Sequence, residues 1–389
     1  TLRSLPAGSS DRHGPDRSAV RRPSRRPRTP RRRPRRRAGL PGLLAAGLLL
    51  AACAADAPAP TTAPAAPAAP APAAPSGGAE DPVEDTRPRS PLTGLPVDRA
   101  VIDRPALVVK IENSPRARPQ SGLDTADVVV EELVEGGITR FVALFHSTLP
   151  EVAGPVRSAR PVDVDLLGGL GASGFAYSGA RAEVRELLAT VPSVLLTEGD
   201  PGFLRDPARD APHDLYVRTA ETLDAAAARG ARPLRDIGWT FTEAPPAGAL
   251  ACATTAPSCP DPGAAIVVPM SAAYRTGWTY DARAGLYRRD QNGEPSEVTG
   301  RGRIGAANVV VLAARHYVGI SGYDETDATT GGAPALVLRD GRRYAATWVK
   351  PTAADPLLLL GPDGDPFPLR PGPTWLHLPR ADRMPTVGE

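Results

Sequence analysis

The sequence predicts an α+β protein in which a mixed α/β sheet domain precedes a smaller, mostly β domain. Three observations carry this. Between residues 105 and 229, strand-length apolar runs alternate with helix-length segments, the pattern of a sheet flanked by helices. From residue 262 to 380 the apolar runs become short and turn dipeptides punctuate them. Residues 244–261, rich in Pro and Ala, separate the two regions.

In the first region Pro105-Ala-Leu-Val-Val-Lys-Ile-Glu112 reads as a buried strand, because its apolar run leaves no solvent face. Residues 126–135 fit a strand or a helix and stop at Gly136-Gly137, and 139–146 form a strong β segment. Helices are expected over 162–170, 180–190 and the Ala-rich 219–229, with strands at 173–178 and 194–197. In the second region short strands are expected at 266–269, 277–280, 286–289, 308–313, 335–338, 344–349, 357–360 and 375–378. Asn292-Gly293, Asp340-Gly341 and Asp363-Gly364 lie between them, pairs that tolerate the positive φ of a tight hairpin. The expected organisation is a leader over 1–53, a tether over 54–89, domains over 90–243 and 262–380 joined by 244–261, and a tail over 381–389.

Charge is distributed unevenly. Residues 1–40 hold 14 Arg against two Asp, a net +12, so the remainder of a chain with net charge +3 is acidic at −9. The basic character therefore belongs to the leader, and no nucleic-acid partner is expected for the rest. The uncharged run 38–52 is shorter than the ~20 residues of a spanning helix and suits a signal-peptide core behind a basic segment. It ends Leu50-Ala51-Ala52-Cys53, the pattern of a bacterial lipobox, which makes Cys53 the expected lipid anchor. The 37 residues before the run are long for a basic segment; a Tat-like leader or a later start accounts for them. Seven prolines among residues 54–78 favour extended polyproline II, so the spacer reaches about 75 Å. These features place the protein at the outer face of the cytoplasmic membrane, lipid-anchored and extracytoplasmic. Cys252 and Cys259, in a turn-rich loop without a nearby His, are expected to pair as a local disulfide rather than hold metal.

No nucleotide loop, dinucleotide fingerprint, zinc-protease motif or nucleophile elbow occurs, so no cofactor or metal is expected. What remains is a polar stretch. Arg118, Gln120 and Ser121 sit in a Pro-stiffened loop, Glu131, Glu132 and Glu135 follow, and Arg140 heads an apolar strand. Arg157 and Arg160 flank Ser158, and Asp163 and Asp165 follow. Two guanidinium forks at this spacing suit a phosphate or carboxylate. The alternative is that the same charges pair with one another and hold loops together. His213, beside Asp214 in a Pro-fixed loop, is either a proton carrier or a hydrogen-bonded pin.

Taken together, Pro91-Leu-Thr-Gly-Leu-Pro96, Ala117-Arg-Pro-Gln-Ser-Gly-Leu123, Val134-Glu-Gly-Gly-Ile-Thr-Arg-Phe141, Gly154-Pro-Val-Arg-Ser-Ala-Arg160 and Ala211-Pro-His-Asp-Leu-Tyr216 resemble the YerB-type bacterial lipoproteins. Thr347-Trp348 and Pro371-Gly-Pro-Thr-Trp375 resemble that family's ending. His213 departs from the pattern in being followed by Asp rather than Asn. The resemblance implies two consecutive domains and an envelope location, and brings no reaction with it.

The residues and the resemblance support three functional expectations. The first is an anionic wall-polymer or lipid-phosphate ligand bound by Arg118, Gln120, Ser121, Arg140, Arg157, Ser158, Arg160 and His213. The second is assembly of envelope proteins through the β-rich region. The third is hydrolysis or transfer on wall polymers, with Glu132, Glu135 and His213 as acid–base candidates.

Overall fold

Apolar runs with no solvent face become strands buried along their whole length in a computed structural model, which describes residues 85–250, 263–319, 324–327 and 331–385. These are β1 (Leu107–Glu112), β2 (Val128–Leu133) and β3 (Thr139–Phe145). Residues 128–133, which fit strand and helix alike in sequence, are strand. Three consecutive valines are stiff at χ1 and suit the pleat better than a helical turn. Next come α1 (Pro161–Gly168), β4 (Gly174–Ala176), α2 (Ala182–Leu188), β5 (Val194–Leu196), β6 (Leu215–Arg218) and α3 (Thr219–Ala228).

The later region adds β7 (Ala265–Pro269), β8 (Arg275–Asp281), β9 (Leu286–Gln291), β10 (Asn308–Leu312), β11 (Gly331–Arg339), β12 (Arg342–Lys350), β13 (Leu358–Leu360) and β14 (Thr374–Leu378). The chain is thus α+β, with helices interleaved among the earlier strands and a mostly β later part. Asn292 and Asp340 adopt φ of 57° and 55° ahead of Gly293 and Gly341, as the hairpin dipeptides predict. Strand β6 and the hairpin of Arg315–Val318 with Asp324–Asp327 are additional to the expected elements.

Ten strands form one mixed sheet in the order β13-β12-β11-β10-β14-β2-β3-β1-β4-β5. Strand β3 runs antiparallel to β1 and β2, whereas β14 runs parallel to both β2 and β10. A smaller sheet is built on β7-β8-β9. Side chains alternate across the large sheet. On one face Val108, Val130, Val142 and Leu376 pack with Val162 and Leu167 of α1 and Val184 of α2. On the other, Val109, Val129, Phe141 and Trp375 pack with Ile266, Trp278 and Tyr287 of the small sheet. Trp375 meets Phe141 and Trp278 edge-on at 5.3 and 5.4 Å, an arrangement preferred by ring quadrupoles. Each fully buried large apolar side chain stabilises the fold by about 1.5–3 kcal/mol. No helix among the described residues is long and apolar enough to cross a membrane. Cys53, Cys252 and Cys259 lie outside the described residues.

Candidate functional site

Alternation along β2 sends Glu131 and Glu132 to opposite faces of the large sheet, so the two carboxylates enter different networks. On the helix-covered face, strand register sets Glu112, Arg140 and Glu132 side by side on β1, β3 and β2. Lys110, one pleat back on β1, donates to Glu132 and, at 2.6 Å, to Asp163 Oδ1 of α1; all three side chains are fully buried. Burial pushes the Glu132 carboxyl up to about 7, with the charge of Asp163 working in the same direction and Lys110 opposing it.

Arg140 occupies the middle of this row. Its Nη1 donates to the Ser158 carbonyl at 2.7 Å, while its Nε is buried without a partner. Burial pulls the guanidinium down to about 10, with repulsion from Arg160 and Arg157 adding to it, so it stays charged at neutral pH. No carboxylate pairs with Arg140 among the described residues. Arg160 grips Glu135 through Nε at 2.7 Å and through Nη2. Arg157 Nε lies 3.3 Å from Glu112 Oε2, and His213 Nδ1 lies 2.8 Å from the same oxygen. Ser158 and Ser178 hydroxyls stand 3.3 Å apart.

The local chain path follows from its sequence. Pro161 opens α1, where a missing N–H costs nothing, and Asp163 Oδ2 accepts the Arg160 N–H at 2.7 Å. The peptide bonds before Pro119, Pro155 and Pro212 are cis. Arg157, Ser158 and Arg160 are half-buried around the deeply buried Arg140. Arg160 Nη1 also donates to the Ala159 carbonyl at 2.7 Å, so Arg160 is held within the chain, and Arg140 is the one guanidinium of the three without a carboxylate partner among the described residues. Planar donors of this kind suit an oxyanion.

On the other face Glu131 is fully buried and densely bonded. Thr139 donates to Oε1 at 2.7 Å, and Thr276 and Arg289 donate to Oε2 at 2.9 and 3.1 Å. Against the upward push of burial, Arg289 and His377 hold Glu131 well below the usual carboxylate range. The Trp278 indole N–H donates to His377 Nε2 at 2.9 Å, which assigns the proton to Nδ1, 3.0 Å from Glu131. Burial also lowers the His377 pKa and favours the neutral ring. Arg289 lies 5.2 Å from both the Phe141 and Trp375 ring centroids. Asn113 joins this network to the loop, donating to Thr139 and Gln291 at 2.7 and 2.9 Å and accepting from Arg118 and Gln120 at 3.2 Å each.

The residues singled out in sequence therefore divide. Arg140, Arg157, Ser158 and Arg160 gather with Glu132 and Glu135 on the helix-covered face, and His213 joins them through Glu112. Arg118 and Gln120 instead line a cleft of about 220 Å³ with Arg289, Gln291 and Ser296 of the later region. Ser121 exchanges backbone hydrogen bonds with Gly154. Sequence reasoning did not single out Lys110, Glu112, Asn113, Arg289 or His377 as site residues. One signal was available for the first. Among 46 Lys and Arg residues only Lys110 and Lys350 are Lys, and both are buried. Where Arg fills every tolerant basic position, a surviving Lys marks a place that needs a compact ammonium.

The comparisons agree with this architecture. The N-terminal domain of the family described as protein of unknown function DUF3048 matches residues 92–232, and its C-terminal domain matches residues 266–376. The chain is 30% identical over 310 residues to YerB of Bacillus subtilis (strain 168), a lipoprotein by provisional designation, covering 77% of this chain and 89% of that one. The crystal structure of Bacillus subtilis YerB superposes with a TM-score of 0.65 at 28% identity, over 76% of this chain and 98% of that one. With both domains matched in order and a relative covered over most of its length, the chain belongs to the DUF3048 family.

Proposed function

We propose that this chain is an envelope lipoprotein, anchored through Cys53 at the outer face of the cytoplasmic membrane, that binds an anionic ligand at Arg140, Arg157, Ser158 and Arg160. Support for the anchor comes from the lipobox-like Leu50-Ala-Ala-Cys53 and from similarity to a relative designated a lipoprotein. The observation that carries the binding reading is Arg140, a deeply buried guanidinium with no carboxylate hydrogen-bonded to it among the described residues, repelled by Arg160 and Arg157 and attracted at longer range by Glu135 and Glu132. A phosphate or carboxylate of a wall polymer or lipid headgroup supplies the charge that this cluster lacks. Binding of purified wall polymer and of phospholipid vesicles to the full chain tests the reading. Arg157→Ala with Arg160→Ala should abolish binding while the circular dichroism spectrum is kept. Unchanged binding by a folded variant would overturn it. Metabolic labelling with a palmitate analogue, lost on Cys53→Ala, tests the anchor.

A second reading rests on a different contact. Glu112 Oε2, 2.8 Å from His213 Nδ1, holds a half-buried imidazole in a fixed orientation, as a general base requires. On that reading the ligand is a substrate. Hydrolysis of wall polymer that disappears in Glu112→Gln would favour it, whereas retained binding with no turnover favours the binding role.

A further inference from the structure

Two segments singled out in sequence, 91–96 and 371–375, have no part in the arginine cluster. They meet through a hydrogen bond from the Gly372 N–H to the Thr93 carbonyl at 2.8 Å. Beside them runs the segment 234–243, and residues of these three strips, with Arg89, Ser90 and Ile102, line an open cleft of about 660 Å³. That volume lies within the range of about 300–1,000 Å³ typical of small-molecule sites.

The lining decides what the cleft suits. Trp239 lines this cleft and also the apolar cavity beside it; its indole N–H donates to the Leu357 carbonyl at 2.8 Å, which holds the ring in place. Phe241 packs on Gly94, where a Cβ would come within 2.4 Å of the ring, so glycine lets the second aromatic seat there. Around them stand the exposed carboxylates of Asp236 and Glu243 and the exposed guanidinium of Arg89. Two carboxylates against one guanidinium disfavour a phosphate or carboxylate ligand, so this is not a second copy of the arginine cluster. An apolar ligand would bury those charges without partners, which is costly.

A polyhydroxylated neutral ligand satisfies both parts. A sugar ring offers a C–H face to an aromatic side chain and hydroxyl donors to carboxylates. We propose that the cleft bounded by Arg89, Asp236, Trp239, Phe241 and Glu243 is a saccharide-binding site. It is separate from the anionic site and does not depend on that assignment.

Trp239 also supplies the readout. Of the four tryptophans, Trp278, Trp348 and Trp375 are buried and Trp239 alone is partly exposed. Titration of the full chain with chitotriose and cellotriose, followed by tryptophan emission and calorimetry, tests the site. At least one trisaccharide should shift emission saturably. Asp236→Asn with Glu243→Gln, both on the exposed rim, should weaken binding about tenfold, a change of about 1.4 kcal/mol. Trp239→Phe should remove the emission change while calorimetry still detects binding, and Arg157→Ala with Arg160→Ala should leave saccharide affinity unaltered. The proposal is overturned if neither sugar gives a saturable signal up to about 10 mM, a concentration that reveals Kd values near 1 mM. It is equally overturned if the double rim variant binds like the parent chain or if inorganic phosphate competes with the sugar.

Discussion

Arg140 and Glu132 face each other across β3 and β2, and each keeps one buried polar atom, Nε and Oε2, without a hydrogen-bond partner. Buried polar groups are nearly always satisfied, so two adjacent exceptions on paired strands mark this row as chemically unfinished. A cation that repels its neighbours and an acid held partly protonated are also poised to respond to an arriving charge.

Glu132 makes the fold sensitive to pH. Its carboxyl titrates near 7 in the folded chain and near 4.5 in the unfolded one, so the folded state binds the extra proton between those values. Stability attributable to this group is present at low pH and is lost as pH rises through 7. Unfolding free energies from urea melts of the parent chain and Glu132→Gln should therefore diverge from pH 4.5 to 7.5, the variant gaining on the order of 3 kcal/mol relative to the parent. A constant gap would mean that Glu132 titrates like an exposed acid.

Lys110 serves two buried carboxylates at once, so replacing it is not conservative in any direction. Lys110→Met should destabilise by about 3–5 kcal/mol, because Glu132 and Asp163 then lose their shared cation. Adding Glu132→Gln should recover part of the loss, a coupling that a double-mutant cycle measures. Strictly additive losses would show that the three groups do not act as a unit.

Gly94 and Gly293 both sit at positive φ, 65° and 86°, yet their surroundings differ. Alanine at Gly293 meets open space and should cost only the backbone term of about 1–2 kcal/mol. At Gly94 the added Cβ meets Phe241 at 2.4 Å, so a further 1–3 kcal/mol, roughly, should be lost to overpacking. Chemical denaturation of the two variants checks the order.

Much of the frame was legible in the sequence. The apolar run ending at Glu112, the Ala-rich helix from Thr219 and the Asn292-Gly293 and Asp340-Gly341 turns rest on local rules, and each stands where those rules put it. Glu131 and Glu132 show where local rules stop. They are adjacent in a segment that fits a strand or a helix in sequence, and the strand places them on opposite faces. Arg118, Arg140 and Arg157 lie within forty residues, so sequence proximity alone groups them. The residues that line the Arg118 cleft, Arg289 and Gln291, come from a strand more than 160 residues away, a distance no motif spans. His377 was invisible for the same reason, since its role depends on Trp278 and Glu131 arriving from two other strands.

Strand β14 carries a consequence for how the molecule is made. It lies between β2 and β10, near the middle of the ten-stranded sheet, yet it is the last of those strands to leave the ribosome. Until residues 374–378 are synthesised, β2 and β10 each present an open edge of unpaired backbone groups, a template for joining another chain. Pairing across some 246 residues is among the slowest kinds of contact to form. Proteins cut short before residue 374 should therefore aggregate rather than yield a soluble front half, and the nascent chain needs protection until its final strand closes the sheet.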